Sequence, residues 1–130
     1  MIVVDASALI EVLLRTSASP AVEQRLFASR QTLHAPHLLD VEVAQVIRRY
    51  VASGDIEAER GRTALTDLVQ FPIRRYPHDV LLPRIWELRN NISAYDAAYV
   101  ALAEALDAPL LTRDRRLAAA ASAHSVVELV

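Results

Sequence analysis

Short apolar runs alternate with longer helical stretches along the whole of this 130-residue chain. Ile2-Val3-Val4 is a compact β-branched run suited to a buried strand, and residues 6–14 read as the helix after it. A second helix is expected over 21–28 after Pro20, and Leu33-His34-Ala35 before Pro36 as a short strand. Residues 38–51 carry one apolar face, formed by Leu39, Val43, Val46, Ile47 and Tyr50. Ser53-Gly54-Asp55 reads as the stop of that helix and the N-cap of the next, over 56–69. A strand over 71–76, helices over 80–89 and 94–106, the strand Leu110-Leu111-Thr112, a helix over 115–121 and a strand over 126–129 complete the series. Strands separated by helices cannot pair as hairpins. The pattern therefore predicts an α/β fold of one domain, residues 1–130, around a mainly parallel sheet of about five strands.

Composition removes many chemistries. The chain has no cysteine, so thiolate nucleophiles, disulfides and Cys-bound metals are excluded. All 14 basic residues are arginines, which excludes Schiff-base and phosphate-loop lysines. Two glycines cannot build a glycine-rich phosphate loop. With 16 acids the net charge is −2, so a nucleic-acid partner has to be held by local arginine patches or through a bound cation. The four histidines, His34, His37, His78 and His124, have no metal-ligand spacing and read as surface or loop residues. No basic n-region and no apolar run of roughly 20 residues occurs, so the expectation is a soluble, cytoplasmic protein with no membrane partner.

In open parallel sheets the ligand crevice lies beyond the carboxyl ends of the strands, so the residues following each strand are the ones that matter. Asp5 follows the first strand, and Thr112, Arg113 and Asp114 end or follow the strand at 110–112. Read singly, each acid has a structural explanation. Asp5 and Asp114 suit helix N-caps, and Glu42 suits a solvated face or the positive end of its helix. Ser93-Ala94-Tyr95-Asp96 has capping-box spacing with Asp in place of Glu. Asp96 nevertheless opens a helix that is apolar nearly all round, the mark of a buried helix.

Their joint placement changes the reading. If the first and fourth strands are neighbours, their carboxylates converge. Two carboxylates about 4 Å apart repel by roughly 4 kcal/mol at an effective dielectric near 20, so such a cluster needs a proton or a cation. All-oxygen ligation suits Mg²⁺ or Mn²⁺ rather than zinc. A glycosidase would also use paired carboxylates, but aromatics are only 5% of the chain and a sugar cleft needs them.

The blocks Ile2-Val3-Val4-Asp5-Ala6-Ser7-Ala8-Leu9, Pro36-His37-Leu38-Leu39-Asp40-Val41-Glu42-Val43 with Arg48-Arg49, Trp86-Glu87-Leu88-Arg89, the segment from Ser93 to Glu104, and Leu110-Leu111-Thr112-Arg113-Asp114 stand in a specific order. In that order and spacing the chain resembles the PIN-domain family, in particular the VapC-type toxins of type II toxin–antitoxin pairs. The resemblance implies a three-layer α/β/α domain and a ribonuclease that cleaves RNA with a metal-activated water. The family's acidic quartet falls on Asp5, Glu42, Asp96 and Asp114, holding Mg²⁺ or Mn²⁺, and its auxiliary hydroxyls on Ser7 and Thr112. Asp40 is set aside, because helix residues two apart do not face the same way; capping or helix-dipole stabilisation is its expected role. Arg48, Arg49, Arg113, Arg115 and Arg116 are candidates to hold flanking phosphates of the RNA. The likeness further implies a homodimer and a cognate VapB-type antitoxin through which alone DNA is contacted.

Two other classes compete. A phosphoacceptor or phosphatase-like α/β domain also places an Asp after its first strand, but it uses a lysine, which is absent here, and the phosphatase wants an acid where Ser7 stands. A non-catalytic PIN-like module binding RNA or protein would keep the fold without metal binding.

Overall fold

In the computed structural model, which describes residues 1–28 and 30–130, five strands form one sheet. They are β1 (Ile2–Val4), β2 (Leu33–Pro36), β3 (Ile73–Tyr76), β4 (Leu110–Thr112) and β5 (Val127–Leu129). The helices are α1 (Ala6–Leu13), α2 (Ser19–Leu26), α3 (Leu38–Ala52), α4 (Ala58–Gln70), α5 (Leu82–Glu87), α6 (Ala94–Leu106) and α7 (Arg115–Ala121).

Every strand pairing is parallel, in the order β3-β2-β1-β4-β5. Val3 is the hinge of the register, opposite His34 on one side and Leu110 on the other. The chain first winds outward from β1 to β3, then crosses back to β4 and winds the other way. Right-handed crossovers therefore put α1–α4 on one face and α5–α7 on the other. β1 and β4 are the neighbours from which the connections diverge, and a crevice opens above their carboxyl ends. That is the three-layer α/β/α architecture implied by the family resemblance, around the parallel sheet expected from the sequence pattern.

β1 is fully buried, as are Leu110, Leu111 and Thr112, because helices cover both faces of a parallel sheet. In α6 every residue from Ala97 to Ala103 is buried. Its small side chains let it sit close over β1, β2 and β4.

The structure corrects several expectations. α2 begins at Ser19, with Pro20 in its first turn, where a missing N–H costs nothing. Ser53 and Gly54 do end α3, Gly54 at φ +83°, but the N-cap of α4 is Glu57 and not Asp55, whose carboxylate takes the Ser53 hydroxyl instead. The helix expected over 80–89 is split into a 3₁₀ turn, Asp79–Leu81, and the short α5, because Pro83 cannot close an interior helical hydrogen bond. β3 starts after Pro72, which has no N–H for the ladder.

His34 is no loop residue: it is buried in β2, between the hydroxyls of Thr32 at 2.9 Å and Tyr76 at 2.7 Å. His78 accepts the Leu38 N–H at the start of α3. Asp40 lies in the first turn of α3 as expected, and it also receives both its oxygens' bonds from Arg75 Nε on β3. Among the described residues no helix is long and apolar enough to cross a membrane.

Candidate active site

Asp5 leaves the carboxyl end of β1 and caps α1, and its own N–H donates to Leu111 of β4 at 3.2 Å. Only 5% of it is exposed. Its Oδ1 accepts the Ser7 hydroxyl at 2.7 Å and the Ala8 N–H at 3.3 Å, and its Oδ2 accepts the Thr112 hydroxyl at 2.8 Å. Each hydroxyl has one proton, and both protons go to Asp5. The lone pairs of Ser7 and Thr112 then accept the N–H groups of Arg113 and Asp114, at 2.8 and 2.9 Å. Two side chains thus tie the α1 end of β1 to the turn after β4 and fix Asp5 between them. Burial pushes the Asp5 carboxyl above its usual range, against those hydrogen bonds, and the charge of Asp114 adds to the rise.

The other acids reach the same crevice from separate elements. Asp114 caps α7, with Oδ1 accepting the N–H groups of Arg116 and Leu117 at 2.9 and 3.1 Å. Asp96 stands in the first turn of α6, whose N-cap is Ser93, the hydroxyl accepting the Asp96 N–H at 3.2 Å. The expected cap is present, while the Asp96 carboxylate faces Arg116 instead of closing a capping box. Glu42, half-buried on α3, accepts the Tyr99 hydroxyl at 2.5 Å. Burial raises the Glu42 carboxyl, and the charges of Asp5 and Asp96 raise it further.

All four acids, with Ser7, line one crevice of about 440 Å³. Arg49 and Arg116 line it too. Arg48 and Arg115 are exposed outside the crevice lining, and the Arg113 guanidinium turns to Glu11 at 3.6 Å and to the Val130 carbonyl at 3.0 Å. Sequence reasoning missed Tyr99 and Gln45, which also line the crevice. Their signal was helical spacing: each lies three residues after an acid of the quartet and hence on the same helix face.

The donor set consists of carboxylate and hydroxyl oxygens, which suits a hard cation such as Mg²⁺ or Mn²⁺. Among the described residues no three acids or histidines are drawn into a ligand cage. Arg116 explains this locally: its guanidinium stands 2.9 Å from Asp96 and 3.6 Å from Asp114. It relieves their charge in the place where a cation would do so. The Arg116 side chain is 72% exposed, so nothing packs it against leaving.

An α/β/α fold with a carboxylate crevice at the point where its strand order diverges defines a class of open parallel-sheet domains, and sequence comparison makes the class specific. The PIN domain family model matches residues 2–123. The chain is 46% identical to Ribonuclease VapC1 of Mycobacterium tuberculosis, over 98% of this chain and 96% of that protein. It is 43% identical to Ribonuclease VapC9 of the same organism, over 100% and 98%. Among solved structures, that of VapBC2 from Rickettsia felis, bound to a DNA fragment from their promoter, superposes with a TM-score of 0.71 at 16% identity, covering 99% and 98% of the two chains. The chain belongs to the PIN-domain family, in its branch of VapC ribonucleases.

Proposed function

We propose that this protein is an endoribonuclease, the toxin of a toxin–antitoxin pair, and that it hydrolyses RNA phosphodiester bonds in the crevice above β1 and β4 using Mg²⁺ or Mn²⁺. The observation that carries the proposal is the convergence of Asp5, Glu42, Asp96 and Asp114 on one crevice, from four separate stretches of a chain in this family. These four carboxylates would hold the cation. Bound there, it would lower the pKa of water and polarise a phosphoryl oxygen. The protein's own part is arrangement. Ser7 and Thr112 lock Asp5 at the centre, and Arg49 and Arg116 stand at the rim where flanking phosphates of the substrate would lie.

The raised carboxyls of Asp5 and Glu42 favour a cation on electrostatic grounds. Burial raises both and the neighbouring acids add to the rise, and a divalent ion would offset each of these. A VapB-type antitoxin covering the crevice and a homodimer are part of the same reading, supported by the VapC relatives and by the VapBC2 structure's likeness in fold.

Sequencing of the 5′ ends produced from total RNA, with Mn²⁺ or Mg²⁺ and with EDTA, tests the activity. Specific cleavage is expected with metal, and none in EDTA or with Asp5→Asn or Asp96→Asn. Cleavage unchanged by the chelator or by either substitution would refute the mechanism. Co-purification with the product of an adjacent small reading frame, and light scattering of the toxin alone, test the two partners.

A further inference from the structure

We propose that Tyr99 is the positioning residue for Glu42, its hydroxyl fixing that carboxylate in the crevice from across the two helical layers. The inference depends on the crevice being a metal centre.

Of the four acids, Glu42 has the longest side chain, and its carboxylate, like that of Asp96, takes a single side-chain hydrogen bond. Asp5 takes three hydrogen bonds and Asp114 takes two from backbone N–H groups. Asp96 is held by Arg116 on a helix whose N-cap is made by Ser93. Glu42 sits on α3 with three rotatable side-chain bonds, and its sole hydrogen bond among the described residues comes from Tyr99. Freezing such a side chain costs about 1.5–2 kcal/mol of rotamer entropy, so an untethered Glu42 would sample several positions.

Tyr99 is suited to the task. Its ring is 2% exposed and packed in the α6 core layer, so the hydroxyl is a fixed point. Tyr99 lies three residues after Asp96, so one turn of α6 sets Asp96 directly and Glu42 through the phenol. A phenylalanine would fill the same core volume. The oxygen is what packing alone does not require, and it meets the carboxylate at 2.5 Å. The bond occupies one lone pair of Oε1 and leaves Oε2 free for a cation. Hydrogen-bonded partners of this kind orient metal-binding side chains, and removing them typically costs 10–100-fold in affinity.

Mn²⁺ binding to the full chain, followed by electron paramagnetic resonance, tests the assignment. Wild type, Tyr99→Phe, Glu42→Gln and the double variant form a cycle, with melting curves of the metal-free proteins alongside. Tyr99→Phe is expected to weaken Mn²⁺ about tenfold in the wild-type background and to change the Glu42→Gln protein by less than about twofold. Cleavage by Tyr99→Phe should recover when Mn²⁺ is raised in proportion, with KM for RNA unchanged. Glu42→Asp, too short to reach the phenol, gives the same loss with Tyr99 intact and no further loss when Tyr99→Phe is added. Equal Mn²⁺ affinity in wild type and Tyr99→Phe, or an equal loss with and without Glu42, would overturn the positioning role while leaving the metal reading in place. A wild-type chain that binds no Mn²⁺ would overturn the metal reading and this role with it.

Discussion

Asp5 combines a structural part in this protein with the metal-binding part proposed for it. As an N-cap it anchors α1, yet it is buried with other acids nearby, and burial keeps its carboxyl above the ordinary range. A group raised on folding contributes stability that is whole below its unfolded pKa and lost as pH rises through its folded value. In metal-free protein Asp5→Asn is therefore expected to gain stability relative to wild type as pH rises from the acid range to neutrality. The gain should disappear below the ordinary carboxylate range, and cleavage should be lost throughout; thermal melts across pH check the sign. Thr112→Val removes the hydroxyl that donates to Asp5 and accepts from Asp114. Leaving those buried groups without a partner should cost about 1–3 kcal/mol in urea denaturation. The positions of Asp5, Asp96, Asp114, Ser7 and Thr112 were legible as residues ending or following strands or opening helices, whereas Glu42, inside α3, was singled out only by the family resemblance. Tyr99 was hidden, because a tyrosine in an apolar helix looks like core until the carboxylate opposite is known.

Helices α3 and α4 touch through Gly61, where a Cβ would stand 3.0 Å from Ile47 Cγ2 and 3.1 Å from Val51 Cγ2. Alanine would improve helix propensity by about 1 kcal/mol. Both neighbouring methyls, however, belong to β-branched side chains held to one χ1 rotamer in a helix, so they cannot turn aside. Overpacking of about 1–3 kcal/mol should outweigh the gain, and Gly61→Ala is expected to lower stability by roughly 1 kcal/mol in chemical denaturation. Arg75 secures the other end of α3 by binding Asp40, two residues before Glu42. Element identity was readable because apolar period and length distinguish strand from helix. Boundaries at Pro20, Pro72 and Pro83 were less so: a proline permits the first turn of a helix and forbids its interior, and the local sequence does not say which applies.

Across the whole molecule, charge is organised around the crevice. The sixteen acids less the four that line it equal the 14 arginines less the two that line it, so the net −2 resides in the crevice and does not describe the rest of the surface. A divalent cation held by those four should stabilise the fold by about 2.7 kcal/mol at one hundred times its dissociation constant. Melting with Mn²⁺ should show that rise in wild type and little of it in Asp5→Asn. The sequence by itself determined an α/β chain with a parallel sheet and the acids that belong at its strand ends, because apolar period and strand-to-helix turns are local properties. Only the tertiary structure decided that β1 and β4 are neighbours, that Arg116 stands between Asp96 and Asp114, and that Tyr99 reaches Glu42. Apart from the local Arg116–Asp114 pair, those contacts join residues 20 to 107 positions apart, and long-range packing brings them together.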